Sequence, residues 1–313
     1  MKALVTGGAG FIGSHIVERL LKEGHEVVCI DSFDPYYNPE IKRKYISPFL
    51  PDKKFTLVDG DINDQVVLRN AMEGCEYVFH QAAQAGIRIS VQHPMKPHIA
   101  NASGTLAILL AAVDTGVRKV INASSSSVYG TVRYLPFDEA HPTVPVSPYG
   151  VSKLAAEHYC RVFSELYGLD TISLRYFTVY GPRMRPDLAI HIFTRAALEN
   201  KPLQIFGDGT KTRDFTYIDD VVDANIRAMN TGSGEYNIGG GHQISIQKLA
   251  EEIITVNNSS SPIEYHPAVK GDAEHTYANT AKAERELGWK AATSISEGLV
   301  RYAAWVHPSP MGS

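Results

Sequence analysis

Apolar and polar positions follow two rhythms in the first half of the chain. Short apolar runs, "ALVTG", "EVVCID", "FTLVDGD", "EYVFHQAA" and "KVINASSS", predict strands. Between them, "FIGSHIVERLLKEG", "QVVLRNAMEG" and "TLAILLAAVDTG" carry the wider spacing of amphipathic helices. The strand runs do not alternate with polar residues, which predicts strands covered on both faces. This β-then-α order predicts a parallel sheet layered by helices. A long helix entered through a Pro turn, "SPYGVSKLAAEHYCRVFSELYG", and a strand, "LDTISLRYF", come next. Past Pro182 the rhythm loosens, with helices expected around 188–199, 220–229, 245–255 and 295–306. The expected fold class is α/β: a Rossmann-type doubly wound parallel sheet with a smaller C-terminal α/β substrate domain. The expected division is 1–178, with the chain returning in part around 214–240, and 179–308. "NNSSSP" predicts a surface loop, and no internal repeat is visible.

Composition narrows the partners. A chain of 313 residues exceeds the size at which one core stops growing, which fits a large domain with a smaller one. Apolar residues at 44% and charged residues at 20% are those of a globular protein. A net charge of −4 with no basic run argues against nucleic acid or an anionic membrane as partner. No leader pattern and no apolar run of spanning length is seen. Cys29, Cys75 and Cys160 lie far apart among apolar neighbours and read as reduced core positions, so a cytoplasmic setting is expected. The histidines make no metal-ligand spacing, and no metal is expected. The terminal "PMGS" is set aside.

"VTGGAGFIGSHIVERLL" places Gly7, Gly8, Gly10 and Gly13 between a strand and a helix. It fits G-x-G-x-x-G through Gly8 and G-x-x-G-x-x-G through Gly7. Glycines there allow a tight turn and close approach of backbone to a pyrophosphate, facing the N–H groups and positive end of the helix around Phe11 and Ile12. The next strand ends in Asp31, where an acidic residue holds the adenosine ribose and repels a 2′-phosphate, favouring NAD over NADP. In "DGDI", Asp61 beside Ile62 is either an acceptor for the adenine amine or a helix N-cap.

Tyr149 and Lys153 stand four apart at a helix start, on one face. A phenol of pKa about 10 is a poor base unless a cation favours the phenolate. With Lys153 and a positive nicotinamide nearby, Tyr149 could take a proton from a substrate hydroxyl as hydride leaves the same carbon. "SSSSVYG", Ser124 to Gly130, puts a run of serines at the end of a strand before this helix.

Together these motifs resemble the extended short-chain dehydrogenase/reductase superfamily, in particular its sugar-nucleotide modifying enzymes. "NASGT", "RDFTYIDDV" and "TAKAERELGW" also look like family blocks, so the resemblance covers nearly the whole chain. It implies a Ser125–Tyr149–Lys153 triad, cofactor contacts at Gln81, Asn101, Tyr149 and Lys153, a UDP-sugar substrate, and a homodimer formed through the 96–115 and 149–167 helices. The related 4,6-dehydratases resemble "TDEVYG" after the catalytic serine, and the decarboxylases carry Glu two before the Tyr. This chain has Ser126 and Ser127 there, which argues for epimerisation instead.

"HQAAQAGIRIS", "RYFTVYGPRMRPDLAI" and "DSFDPYYNPEIKR" are similar to the UDP-glucuronate 4-epimerases. Oxidation at C4 of glucuronate gives a β-keto acid prone to lose CO₂. The resemblance implies that Ser126, Ser127 and Thr178 hold the carboxylate, with Arg185 or Arg88 as counter-charge. Arg185 could equally be a surface guanidinium beside a Pro loop. Arg213 is expected on the diphosphate, against a salt bridge to Asp214 or Asp219, and Asp272 on the uridine ribose. Val269 stands where relatives often have Arg. The expected reaction is NAD-dependent conversion of UDP-glucuronate to UDP-galacturonate. UDP-glucose/galactose epimerisation, decarboxylation and a non-catalytic NAD-bound sensor stand behind it.

Overall fold

The computed structural model describes residues 1–267 and 274–307. Its strands in chain order are β1 (Lys2–Thr6), β2 (Glu26–Asp31), β3 (Phe55–Asp59), β4 (Tyr77–His80), β5 (Lys119–Ser125), β6 (Asp170–Tyr176), β7 (Thr178–Tyr180), β8 (Leu203–Phe206), β9 (Thr212–Tyr217), β10 (Gly234–Ile238), β11 (Gln243–Ser245) and β12 (Ile263–His266). The main sheet has seven strands in the order β10-β6-β5-β4-β1-β2-β3. All its pairings are parallel. The strand order reverses direction beside β1, which is where doubly wound folds open a ligand crevice.

Residue alternation within the strands explains the layers. Ala3 and Val5 point to one face and Leu4 to the other, and Cys29 and Val28 divide in the same way. On the Leu4 face lie helices Gln65–Met72, Gly104–Thr115 and Pro148–Tyr167, packed side by side. The Ala3 face is covered by helix Phe11–Lys22 against helix Ile218–Ala228. Its apolar core runs on without a break through Tyr180, Phe193, Leu203, Leu249, Trp289 and Tyr302. The smaller lobe is thus an extension of this core, built on the β7-β9-β11 and β8-β12 sheets. After helix Ile218–Ala228 the chain crosses back and lays β10 against β6 at the main sheet's edge. Trp289 is fully buried there, its indole N–H bonded to the Asp220 carbonyl at 2.8 Å.

The long helix Pro148–Tyr167 begins on a built cap. Ser147 accepts from the Gly150 N–H at 3.1 Å, and Pro148 occupies the first turn, where its missing N–H costs nothing. The helix from Met95 to Thr115 contains a π-helical stretch over His98–Ser103. Insertion of such a stretch re-aims the side chains on either side of it, here those around Asn101. Among the described residues, no helix is long and apolar enough to cross a membrane. No group of three or more His, Cys, Asp or Glu there could hold a metal. Cys29, Cys75 and Cys160 are buried and free.

Candidate active site

A cleft of about 430 Å³, within the usual range for ligand sites, opens beyond the carboxyl ends of the central strands. Gly7, Gly10, Phe11, Ile12, Gly13, Asp31, Asp61, Ile62, Gln81, Tyr149, Lys153 and Arg185 all line it. The glycines divide by task. Gly7 has φ +64°, and a Cβ there would lie 2.8 Å from the Ala82 Cα. A Cβ on Gly13 would strike the Gly7 carbonyl at 2.3 Å, and one on Gly8 would strike the Cys29 Sγ at 2.6 Å. Gly8 is therefore a packing glycine under the loop, while Gly10 meets only the Gly7 carbonyl at 3.1 Å. Helix Phe11–Lys22 starts with no side-chain cap and no acidic residue in its first turn, so its leading N–H groups are left for a bound anion. This cradle fits a dinucleotide pyrophosphate.

Asp31 ends β2 and is buried. Its carboxylate accepts from the Ala9 N–H at 3.1 Å and the Phe33 N–H at 2.8 Å, and the Lys42 ammonium stands 3.8 Å away. It thus ties the glycine loop to the β2 turn while lining the cleft, as a ribose-binding acid would. For Asp61 one of the two readings falls. The cap of helix Gln65–Met72 is Asp64, which accepts from the Val66 and Val67 N–H groups. Asp61 instead turns its carboxylate onto the Asn63 backbone and amide, at 2.8 and 2.9 Å. Gln81 donates to the Tyr176 hydroxyl and to Asn225, both at 3.2 Å.

Asn101 lies behind the cleft wall. Its amide accepts from the Gln84 N–H at 2.8 Å and donates to the Gln84 carbonyl at 3.1 Å and to the Ser152 hydroxyl at 2.8 Å. Ser152 donates in turn to the Tyr149 carbonyl at 2.8 Å. The π-helical stretch thus clamps helix Pro148–Tyr167 to the loop after β4. The chain extends further back. Thr6 Oγ1 accepts from the Ala82 N–H, and because Thr105 spends its one proton on the Asn101 carbonyl and so accepts from His80 Nε2, the neutral ring's Nδ1 accepts from Thr6 Oγ1 at 2.8 Å. His80 Nε2 then donates to Thr105 Oγ1 at 3.0 Å, and Thr105 donates to the Asn101 carbonyl. Burial lowers the His80 pKa to about 3, so the ring stays neutral in this relay.

Tyr149 and Lys153 reach the cleft from one helix face. Burial raises the Tyr149 pKa, while the Ser125 hydroxyl and the Arg185 guanidinium pull it back down. Lys153 is buried and donates to the Ala123 carbonyl at 2.8 Å. Burial lowers its pKa to about 8, against an upward pull from Glu157 one turn on. The cation whose charge acts on the phenol in this geometry is Arg185.

The serines separate by direction. Ser124 turns to Glu157, which Arg175 clamps bidentately at 2.9 and 2.8 Å. Arg175 also donates to the Tyr129 hydroxyl at 3.0 Å, and Tyr129 to Asn237 at 2.6 Å. Ser125 accepts from the Ser127 N–H at 3.2 Å and starts the turn Ser126–Val128. That turn sits on helix Pro148–Tyr167, and a Cβ on Gly150 would lie 2.5 Å from the Ser127 carbonyl. Ser126 and Ser127 are half-buried, as is Thr178 at the head of β7.

The remaining residues lie toward the smaller lobe. Arg185 is paired bidentately with Asp187. Arg88 is exposed, its guanidinium 5.9 Å from the Phe206 ring of β8. Arg213 donates to the carbonyls of Thr212 at 2.9 Å and Glu274 at 3.3 Å. Its expected competitors are engaged elsewhere. Asp214 is met by N–H groups of Gly240, Gly241 and Ala278, and Asp219 by Arg301. Asp272 and Val269 lie outside the described residues. Sequence reasoning passed over Glu157 and Arg175 because a lone charge on a helix or a strand ordinarily faces solvent, and 18 residues and two elements separate the pair. It also passed over Lys42, Tyr36 and Asp187. The only signal for them was the "DPYYNPEIKR" block after Asp31 and the Arg-x-Asp of "RPD".

Residues 3–239 match the model of the NAD dependent epimerase/dehydratase family. A UDP-glucuronate 4-epimerase of Thermodesulfobacterium geofontis is 38% identical over 96% of this chain and 95% of its own length. Among solved structures, UDP-glucuronic acid 4-epimerase from Bacillus cereus, in complex with UDP-glucuronic acid and NAD, superposes with a TM-score of 0.92. It is 37% identical, over 98% of this chain and 99% of that one. UDP-glucose 4-epimerase from Thermotoga maritima, with UDP-glucose, also gives a TM-score of 0.92 at 35% identity, covering 98% of each chain. Overall likeness therefore does not choose between an acidic and a neutral sugar.

Proposed function

The chain belongs to the NAD dependent epimerase/dehydratase family, and from that premise we propose that it interconverts UDP-glucuronate and UDP-galacturonate through a 4-keto sugar. Residues 1–178, with the returning 214–240 segment, hold the cofactor, and 179–308 the UDP-sugar. NAD, when bound along the glycine loop, supplies the acceptor and donor of the C4 hydride. Tyr149, aided by Ser125, removes the 4-hydroxyl proton and, once the keto sugar has turned so that C4 offers its opposite face to the returning hydride, gives the proton back to the C4 oxygen. Lys153 and Arg185 favour the phenolate. Arg213 takes the diphosphate.

Arg185 carries the substrate choice, as a guanidinium lining the same cleft as the phenol. The 4-keto acid loses CO₂ when its C5–C6 bond stands perpendicular to the carbonyl. The bonding pair then moves to the C4 oxygen as an enolate, which picks up a proton at C5. Hydroxyls at Ser126, Ser127 and Thr178 and the charge of Arg185 would hold the carboxylate out of that orientation. A Glu at 127 would repel it.

Free buried thiols support a reducing, cytoplasmic setting. The exposed Leu110, Val113, Val151, Tyr159 and Leu166 on helices Gly104–Thr115 and Pro148–Tyr167 support a homodimer through them.

The test is proton NMR of the purified protein mixed with UDP-glucuronate or, separately, UDP-glucose, with no NAD added. UDP-galacturonate signals without a pentose product are expected. Turnover of UDP-glucose alone would move the activity to neutral sugars, while NAD and Tyr149 kept their roles.

A further inference from the structure

Arg185 is held from two sides. Its Nε donates to Asp187 Oδ1 at 2.9 Å and its Nη2 to Oδ2 at 3.1 Å. The same Oδ2 accepts from the Tyr36 hydroxyl at 2.9 Å, and the guanidinium lies 5.6 Å from the centre of the Tyr36 ring. Tyr36 belongs to the turn after β2, where the Asp34 carboxylate accepts from its N–H at 2.8 Å. Its hydroxyl abuts the loop after β4, for a Cβ on Gly86 would lie 2.6 Å from it. The cofactor side of the cleft is thus joined to the guanidinium that the substrate reading places on the sugar acid.

An Arg–Asp pair two residues apart at a surface contributes little to stability. This one is built differently. The Arg185 side chain is 21% exposed and Asp187, at the rim, 42%. Although burial pushes the Asp187 pKa up, the Arg185 hydrogen bonds and charge and the Tyr36 hydroxyl hold it below the usual range, so the carboxylate stays charged. The bidentate contact uses one edge of the guanidinium and fixes its plane. Nη1 has no hydrogen-bond partner among the described residues.

We propose that Asp187 and Tyr36 are positioning residues that fix the Arg185 guanidinium with its free edge toward the substrate carboxylate, and so set the preference for an acidic over a neutral UDP-sugar. This rests on the UDP-glucuronate reading above. A loosely held Arg185 would still attract the carboxylate but would not fix its orientation. The β-keto acid would then lose CO₂ more often.

The experiment compares the wild type with Asp187→Asn, Asp187→Glu and Tyr36→Phe, each purified with its cofactor. It measures kcat/KM on UDP-glucuronate and UDP-glucose, and the fraction of UDP-pentose by NMR. Asp187→Asn is expected to lower kcat/KM on UDP-glucuronate by about 10- to 100-fold, the scale of a misaimed contact, and to raise the pentose fraction. UDP-glucose turnover should fall by much less, since only the pull of Arg185 on the Tyr149 phenol is weakened there, and bound NAD should not change. Tyr36→Phe should move both readouts the same way by less, and Asp187→Glu should recover part of the loss. An unchanged substrate ratio and pentose fraction, with the wild type active on UDP-glucuronate, overturns the positioning role alone. Tighter UDP-glucuronate binding by Asp187→Asn overturns it too, since Asp187 would then be a competitor for Arg185. A wild type with no turnover of UDP-glucuronate overturns the substrate reading and this proposal together.

Discussion

Lys153 is charged only while its environment allows it. With a pKa lowered to about 8 by burial and supported by Glu157, it gives up its proton as pH rises through that value. The phenolate at Tyr149 then loses a neighbouring cation. Turnover is therefore expected to fall on the alkaline side, the limb following the Lys153 ammonium near 8. Glu157→Gln removes the upward pull, so a pH–rate profile of that variant should show the fall at lower pH. An unmoved limb would mean that Glu157 acts on packing alone. Tyr149→Phe removes the proton carrier, and turnover should drop by about 10²- to 10⁴-fold. NAD measured in the purified variant should stay at the wild-type level, because the glycine loop and Asp31 are untouched. Residues of this kind were visible in the sequence where several chemistries must coincide at fixed spacing. Tyr149, Lys153 and the glycines are examples. Ser124 was not, because nothing in a run of identical hydroxyls says which one turns inward to a buried Glu. For Asp61 the sequence does not say that Asp64, three residues on, is the one that caps the helix.

Elements carry these residues to their places, and their fit can be tested separately. A Cβ at Gly150 would lie 2.5 Å from the Ser127 carbonyl, a backbone atom that cannot swing away. Gly150→Ala should destabilise the protein by about 1–3 kcal/mol, the range for overpacking. It should also slow turnover, because the Ser125 turn and the Tyr149 helix would be pushed apart. Urea unfolding and steady-state rates read the two effects. Ser147→Ala, by contrast, deletes only a cap and should cost about 1 kcal/mol. The strands and long helices could be read from apolar rhythm because each has a full face to bury. The π-helical stretch around Asn101 could not. Its cause is tertiary, since the amide there must satisfy both Gln84 and Ser152. Helix Pro39–Ile46 was hidden for a similar reason. It lies in a segment whose only buried charge, Lys42, finds its carboxylate partner on another element.

At the scale of the molecule, the parallel sheet was legible because doubly covered strands are apolar along their whole length. The smaller lobe was less so. Its core is continuous with one face of the main sheet, so composition does not change where one part ends and the other begins. The apolar residues left on helices Gly104–Thr115 and Pro148–Tyr167 make a checkable statement about assembly. Leu166, 72% exposed, should lie in the proposed contact between copies. Leu166→Glu is expected to shift the protein from dimer to monomer in light scattering, and a wild type that is already monomeric would sink the dimer.

The placing of β10 has a consequence for how the chain is made. Strands β1 to β6 leave the ribosome first and can pair in turn, but the outer edge of β6 finds its neighbour only when Gly234–Ile238 has emerged. Until then a row of unpaired N–H and C=O groups stands open on a nearly finished sheet, and such an edge is a template for pairing with other chains. Asn237 brings the seal, since it arrives on that strand and closes over Tyr129. A chain ending just before Gly234 would keep the open edge for its lifetime. It should self-associate in proportion to concentration during synthesis, which sedimentation of the translation products would reveal.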